Sequence, residues 1–253
     1  MNDVEATSGE GRFDLGRRVL PGGHVDELEQ LTPSLLRMRL AGPKLIGLSW
    51  TPGAHVRIRI SPMLSTLVKG KARDSLRTYS VWDADPLQGW IDLVLFDHGT
   101  PASVGQEWAR SARLGQYVVF LRDSRTIPLK PEAPWHLFAG EETAAVAFAS
   151  LMRALPTEAT VVGVQQADTD ADQLDLPRPL TRISRNGAAA ESSQQLVDAV
   201  AALDLPAGPG AAYLAGEART IQLVRTHLVQ ERGWNRRDIV TKPFWTPGRR
   251  GLD

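Results

Sequence analysis

Hydrophobic and polar positions alternate through the first half of the chain. Residues 55–60 place Val56, Ile58 and Ile60 on one face of a strand and three charged or polar side chains on the other. Three further apolar runs are bounded by glycine, proline or charged residues: 35–40, 90–96 and 117–121. One predicted helix, at 102–113, interrupts them. Several strands at such short spacing predict an antiparallel β-barrel or sandwich.

From residue 134 onward, strands and helices alternate. The predicted strands are 135–139, 160–164 and 211–215, and the predicted helices are 142–155, 192–203 and 218–232. This alternation predicts a parallel sheet covered by helices. Because 130–134 contains two prolines, we take it as a linker. The predicted organisation is therefore a flexible tail at 1–17, a β-barrel at 18–129 and an α/β nucleotide-binding domain at 130–253.

Composition narrows the function classes. The 253 residues include 29 Lys plus Arg and 29 Asp plus Glu, and this balance gives no argument for a nucleic-acid or anionic-membrane partner. No apolar run approaches the roughly 18 residues of a membrane helix, and the first fifteen residues lack the apolar core of a signal peptide. Cysteine is absent, which excludes disulfides and cysteine-ligated clusters within the chain. We expect a cytoplasmic monomer without membrane insertion or a metal site, with the acidic segment 167–179 forming a solvated loop.

The run Arg77-Thr78-Tyr79-Ser80 offers three groups suited to a flavin nucleotide. An arginine can grip a pyrophosphate with two hydrogen bonds. The tyrosine can stack on or bond to the isoalloxazine, and the serine can reach a ring nitrogen or carbonyl oxygen. The alternative interpretation is a strand with an ordinary exposed arginine.

A second element follows at 97–103, where a strand leads through a turn into a helix. The free N–H groups and the dipole at a helix start suit an anion such as pyrophosphate. The candidate residues of this turn are His98, Thr100, Pro101, Ala102 and Ser103. His98 could equally be a structural turn residue.

Two turns at strand ends in the second half, 139–144 and 214–218, should border one crevice, because ligands of open α/β sheets gather beyond the carboxyl ends of the strands. Neither turn is a G-x-G-x-x-G fingerprint, so a typical Rossmann site is not supported. Arg185, after a short extended segment, could hold a 2′-phosphate and favour NADPH; the alternative is an exposed surface arginine.

Together these pieces resemble the siderophore-interacting protein family of the ferredoxin reductase superfamily, from about residue 25 to 249. The matching motifs are Leu31-Thr32-Pro33, Pro52-Gly53-Ala54-His55-Val56, Arg77-Thr78-Tyr79-Ser80, His98-Gly99 with Pro101-Ala102-Ser103, Ala139-Gly140-Glu141-Glu142-Thr143-Ala144 and Ala215-Gly216-Glu217-Ala218. Six ordered matches are far more specific than any one of them.

The resemblance implies bound FAD, NADPH or NADH as electron donor, and one-electron reduction of a ferric siderophore. Thr143 is then expected beside the contact between nicotinamide and flavin, and Trp245 belongs to a C-terminal aromatic pair. Near an exposed flavin, basic side chains would attract an anionic ferric chelate, and the candidates are Lys69, Lys71 and Arg73. No side chain is expected to act as a general acid, base or nucleophile.

Several positions depart from the family pattern. Trp82 stands where an arginine is common, residues 121–125 replace a Gly-Pro-Arg-Gly turn, and Thr100 replaces a glycine. The C-terminal Gly-Tyr-Trp-Arg signature keeps only its aromatic pair, Phe244 and Trp245. Two alternatives therefore stay open: a flavin reductase with another acceptor, such as an electron carrier or free flavin, and a degenerate flavin-binding protein without turnover.

Overall fold

The computed structural model describes residues 20–60, 76–97, 99, 104–123 and 126–248; the predicted tail at 1–17 lies outside them. Six antiparallel strands close a barrel in the order β1-β2-β5-β4-β3-β6. Their bounds are Gly22–Thr32 (β1), Leu35–Ala41 (β2), His55–Arg59 (β3), Leu76–Asp85 (β4), Trp90–Phe96 (β5) and Tyr117–Asp123 (β6). The predicted antiparallel barrel is confirmed.

The barrel core is built by the alternating faces of these strands. Val56 and Ile58 of β3 pack inward with Met38, Leu93 and Phe120, all at most 1% exposed. The same alternation turns the polar residues of β3 to the outside of the barrel.

The helix α1, Val104–Arg110, is shorter than predicted at its carboxyl end. Beyond Arg110 the chain turns back toward β6. Gly115 adopts a left-handed conformation (φ 78°), and its N–H donates to the Val25 carbonyl at 2.8 Å. A bond to strand β1 thus replaces continued helix.

The second half of the chain forms a five-stranded parallel sheet in the order β11-β10-β7-β8-β9. The elements are β7 Trp135–Glu141, α2 Glu142–Arg153, β8 Thr160–Ala167, β9 Thr181–Ser184, α3 Gln194–Ala201, β10 Ala211–Glu217, α4 Ala218–Gln230 and β11 Ile239–Trp245. The parallel sheet is confirmed, but β11 was not predicted as a strand, and its Pro243 is tolerated because β11 lies at an edge. Among the described residues, no helix combines the length and the apolar character needed to cross a membrane.

An apolar cluster joins the two sheets. Leu35 and Val94 of the barrel pack with Ala145 and Val146 of α2 and with Leu174. Because Leu174 is only 4% exposed, the prediction that 167–179 is simply a solvated loop was wrong. Asp170 and Asp175 of the segment are exposed, but Leu174 and Leu176 pack into the cluster between the sheets.

A second contact between the sheets explains one departure from the family pattern. The Arg153 Nη1 of α2 donates to the Trp82 carbonyl at 2.6 Å, and its guanidinium lies 5.1 Å from the centre of the Trp82 ring. The aromatic ring therefore receives a cation from the other half of the chain.

Candidate functional site

The Arg-x-Tyr-Ser run lies in strand β4, on the barrel. Tyr79 stacks on Trp108 of α1, with ring centres 5.9 Å apart and ring planes 29° apart. Burial raises the pKa of Tyr79 above its ordinary value, against the opposing charge of Arg77, so its hydroxyl stays neutral and can donate. The Arg77 Nη1 donates to the Leu76 carbonyl at 2.9 Å. The run is thus held between β3 and the helix that follows β5.

The start of α1 lies directly against this run. A methyl group added to Gly105 would lie 3.5 Å from both the Arg77 Cγ and the Tyr79 hydroxyl. The close approach brings the first turn of α1 beside the arginine predicted to bind phosphate.

Asp97, just after β5, bonds to Gly99 and to two side chains of α1. Its carboxylate accepts two hydrogen bonds from the Arg110 guanidinium (2.6 and 2.8 Å), one from Gln106 (2.8 Å) and one from the Gly99 N–H (3.0 Å). The bond from Arg110 is the largest influence, and together these donors lower the pKa of Asp97 to about 2. The contact between the end of β5 and α1 therefore involves an ionised carboxylate at any physiological pH.

A polar row crosses the outer face of the barrel beside Ser80. His55 of β3 pairs in register with Ser80 of β4 and with Asp123 of β6. His55 is 2% exposed, and neither ring nitrogen makes a well-formed hydrogen bond within the described part of the chain. A cavity of about 310 Å³, lined also by Trp50 and Arg122, opens beside it. Burial and the charge of Lys242 lower the pKa of His55, which favours the neutral imidazole.

The same face carries charges from both halves of the chain. The Arg57 Nε lies 3.0 Å from the Asp123 carboxylate. Burial lowers the pKa of Lys242 in β11, while the charge of Asp123 raises it and that of Arg57 lowers it. Lys242 is therefore near enough to the polar face of the barrel to interact electrostatically with the Arg57–Asp123 pair.

The first strand-end turn, 139–144, centres on the buried carboxylate of Glu141. Glu141, 1% exposed, accepts from the Thr143 N–H (2.8 Å), from the Thr143 hydroxyl, and from the Trp245 indole N–H (3.0 Å). Burial, and then the adjacent Glu142 charge, raise the pKa of Glu141 to about 7. Thr143 and Trp245, both predicted site residues, thus meet at one carboxylate.

The second strand-end turn, 214–218, also centres on a buried carboxylate, that of Glu217, but here the pKa shifts in the opposite direction. Glu217 is fully buried and accepts from the Thr220 N–H (2.7 Å), the Ser192 N–H (3.4 Å) and the Thr246 hydroxyl (3.2 Å). Burial alone would raise the pKa of Glu217, but backbone N–H groups, including that of Arg219, outweigh it and lower the pKa.

Glycine is required at both turns because the strands approach closely. A Cβ at Gly140 would lie 2.3 Å from the Ala215 carbonyl oxygen, and one at Gly216, where φ is 119°, would lie 2.5 Å from the Glu141 carboxylate. The two turns therefore border one crevice, as their positions in the sequence predict.

Arg185 does not lie on the surface. Its guanidinium makes two hydrogen bonds of 2.6 Å to the Glu142 carboxylate, and the side chains are 7% and 3% exposed. A 2′-phosphate would have to compete with Glu142 for this guanidinium. The alternative of an ordinary exposed arginine does not describe it either.

Comparison with known families places these features in context. A model of the siderophore-interacting FAD-binding domain matches residues 24–124, and the model of the siderophore-interacting protein matches residues 133–248. The chain belongs to the siderophore-interacting protein family. The resemblance inferred from the motifs is confirmed.

Known proteins are similar to this siderophore-interacting protein along nearly its whole length. It is 26% identical over 237 residues to the ferric vibriobactin reductase ViuB of Vibrio cholerae, covering 87% of this chain and 86% of that protein. A siderophore utilization protein from T. fusca superposes with a TM-score of 0.79 at 26% identity, over 92% of this chain and 94% of that one. Phthalate dioxygenase reductase shares the fold at 13% identity, with a TM-score of 0.70 over 92% of this chain and 70% of that one.

The predicted site residues fall into two groups. The structure brings Arg77, Tyr79 and Ser80 to the barrel beside α1, with Thr78 in the same strand. The other predicted residues of the turn and the basic loop lie outside the described residues: His98, Thr100, Pro101, Ala102, Ser103, Lys69, Lys71 and Arg73. Within the described ranges, no group of three or more His, Cys, Asp or Glu side chains is arranged to hold a metal ion.

Sequence reasoning missed the grouping of His55, Asp123 and Lys242. The alternation in β3 did place His55 and Arg57 on one face, and that was the available signal. Lys242 could not be added, because β11 was not recognised as a strand.

Proposed function

We propose that this protein is an FAD-dependent reductase that takes electrons from NADPH or NADH and reduces Fe(III) held in a siderophore. Membership of the siderophore-interacting family and the 26% identity to a ferric vibriobactin reductase support this. No acidic or basic side chain is required as a proton donor or acceptor at the iron. The protein's side chains instead bind and orient the flavin, the nicotinamide and the ferric chelate, and they exclude water from the site.

The residues on the barrel fit a flavin nucleotide. Arg77 supplies a forked cation for phosphate, and Gly105 leaves room beside it. Ser80 and buried His55, whose ring nitrogens have no well-formed hydrogen bond among the described residues, supply polar groups in one row. FAD, when bound, supplies a centre that accepts a hydride and releases electrons singly. Pyrophosphate binding by Pro101, Ala102 and Ser103 stays a prediction.

The same arrangement of barrel and sheet suggests where the nicotinamide and the ferric chelate would bind. Thr143, in the first turn of α2 just after β7, would lie beside the nicotinamide, in the crevice beyond the strand ends. An anionic ferric chelate would be attracted by Arg57, Lys242 and Arg122 on the outer face, and we retain the basic loop at 69–73 as a predicted contributor. A chelator with hard oxygen donors holds Fe(II) more weakly, so reduction would release the metal.

One observation carries the proposal: Ala145 and Val146 of α2, which follow Thr143 of the nucleotide crevice, pack in one apolar cluster with Trp82, two residues after Ser80 of the flavin motif. The flavin motif and the crevice thus lie side by side. Electron donor, flavin and acceptor could then meet within one cleft.

The test is anaerobic absorbance spectroscopy of the purified protein. We expect flavin absorbance that NADPH or NADH bleaches and that ferric dicitrate or a ferric triscatecholate restores. A protein that gains no flavin on incubation with FAD contradicts the proposal. Flavin that no nicotinamide reduces would indicate the degenerate binding protein, and reoxidation only by an electron carrier or free flavin would indicate another acceptor.

A variant sharpens the flavin assignment. Arg77→Ala should weaken FAD binding roughly 10- to 100-fold, the worth of a charge-assisted hydrogen bond. Arg113→Ala, which removes an exposed arginine of the same domain, is the matched control and should bind FAD as the unmodified protein does. Equal affinities in both variants would contradict the role of Arg77.

A further inference from the structure

The end of β11 is held by side chains as much as by its backbone. Pro243 has no N–H to donate, and the pairing register with β10 shifts between Gly216 and Glu217, opposite Trp245. At this point the Trp245 indole N–H donates to the Glu141 carboxylate at 3.0 Å. The indole is therefore fixed by a residue from the first turn of the sheet.

The surroundings of Glu141 favour the hydrogen bond from that indole. Its three donors are the N–H and hydroxyl of Thr143 and the indole of Trp245, and all three favour a carboxylate over a carboxylic acid. Gly216 leaves the space: an added Cβ there would meet the Glu141 carboxylate at 2.5 Å. The contact thus requires a glycine on one strand and an acidic residue on the next.

We propose that Glu141 is a positioning residue that fixes the Trp245 indole in the nucleotide crevice and so sets the geometry for reduction by the nicotinamide. The inference rests on the proposed function, since it assigns a role within the same cleft. Dinucleotides bind beyond the carboxyl ends of parallel strands, where Thr143 and Trp245 meet. A loosened indole would leave the nucleotide bound but less well oriented.

The charges around Glu141 make this contact sensitive to pH. Glu142 adds a like charge, Arg185 neutralises it, and Glu217 follows Gly216 on β10. From β8 the register partner is the neutral Gln166, and on β11 Lys242 interacts with the Arg57–Asp123 pair of the barrel. Because burial and Glu142 raise the pKa of Glu141 to about 7, its hydrogen bond to the indole gains a full negative charge only above that pH.

The direct test is a pH titration of the indole N–H resonances of 15N-tryptophan-labelled protein, without flavin. Trp245→Phe assigns one of the seven indole signals, and Trp90→Phe assigns a control whose N–H donates to the neutral amide of Gln88. We expect the Trp245 signal to shift with a midpoint near pH 7, the Trp90 signal to stay constant, and Glu141→Gln to abolish the titration. A Trp245 signal at the same position in Glu141→Gln and in the unmodified protein at pH 8.5 would overturn the inference.

The functional test is anaerobic stopped-flow reduction of the bound flavin at saturating NADPH or NADH. Glu141→Gln and Trp245→Phe should each slow reduction about tenfold, the worth of one charged hydrogen bond, with a smaller change in nucleotide affinity. The double variant should be no slower than either, because both remove one contact. Normal reduction in both single variants would overturn the inference and leave the proposed function intact, whereas flavin that the unmodified protein cannot reduce would overturn the proposed function itself.

Discussion

The two Ala-Gly-Glu turns have the same local sequence and occupy equivalent places at neighbouring strand ends. The pKa values of their glutamates nevertheless shift in opposite directions. Glu141 is followed by Glu142, and its pKa is raised to about 7, whereas Glu217 is followed by Ala218 and its pKa is lowered. Both are almost completely buried. Burial raises the pKa of both carboxyl groups. At Glu141 the Glu142 charge reinforces it and the rise prevails, whereas at Glu217 the N–H and hydroxyl donors outweigh it.

The largest test of this difference removes the cation that compensates the first turn. Arg185→Met leaves Glu142 buried without a partner, so we expect the free energy of unfolding to fall by about 3–5 kcal/mol. Urea denaturation measures this. The double variant Glu142→Met/Arg185→Met replaces the pair by apolar side chains and should recover most of the loss. A single variant as stable as the unmodified protein would mean that the pair compensates nothing.

The same double variant bears on nucleotide preference. If Arg185 contacts a 2′-phosphate, removing the pair should lower affinity for NADPH but not for NADH. An unchanged ratio of the two dissociation constants, measured by titration calorimetry, would assign Arg185 to the first turn alone.

The close approach of the two turns is tested by Gly140→Ala. The added methyl would lie 2.3 Å from the Ala215 carbonyl oxygen and 2.6 Å from the Ala144 Cβ, so strand or helix must shift. We expect a loss of about 3 kcal/mol in the free energy of unfolding, typical of severe overpacking. Gly42→Ala is the control, because its methyl would meet only ordinary contacts at 3.5 Å. Equal losses in the two variants would contradict the packing argument.

The pH dependence of stability should have opposite signs at the two turns. For Glu141 the folded pKa lies above the ordinary 4.5, so the protein binds protons on folding and loses stability as pH rises from 4.5 to 7. The advantage of the unmodified protein over Glu141→Gln should therefore shrink by about 2 kcal/mol between pH 5 and pH 8. Urea denaturation at the two pH values measures it.

For Glu217 the folded pKa lies below 4.5, so its contribution is complete above pH 4.5 and is lost as pH falls below that value. The advantage over Glu217→Gln should be constant from pH 5 to 8 and decline toward pH 3. Parallel profiles for the two variants would contradict the difference between the turns.

Local patterns were sufficient to predict much of this molecule. The alternation in β3 gave the outward face that carries His55 and Arg57, and the contiguous motif of β4 identified Arg77 to Ser80. The strand–helix alternation gave the parallel sheet. Each of these signals lies within a few neighbouring residues.

What could not be predicted joins residues distant in sequence. In the sequence, Trp82 is only a departure from the family pattern, and the structure adds that Arg153 lies over its ring. The sequence predicts Leu174 as part of a solvated loop, whereas the structure packs it against the barrel. The Glu142–Arg185 pair spans 43 positions and the Glu141–Trp245 bond 104. Composition and periodicity carry no signal for such contacts, because each depends on how the two sheets come together.

The smallest expected effect compares two side chains at the end of β11: Trp245, its last residue, and Thr246, which follows it. Thr246→Val removes a neutral hydroxyl that lies 3.2 Å from the Glu217 carboxylate, which keeps its backbone donors, so we expect a loss of about 0.5 kcal/mol. Trp245→Phe removes one of the three donors that Glu141 has among the described residues and should cost about 1.5 kcal/mol at pH 8. Urea denaturation separates these values. If Thr246→Val is the more damaging, the second turn rather than the first fastens the end of β11, because a carboxylate already rich in N–H donors would then still depend on its hydroxyl partner.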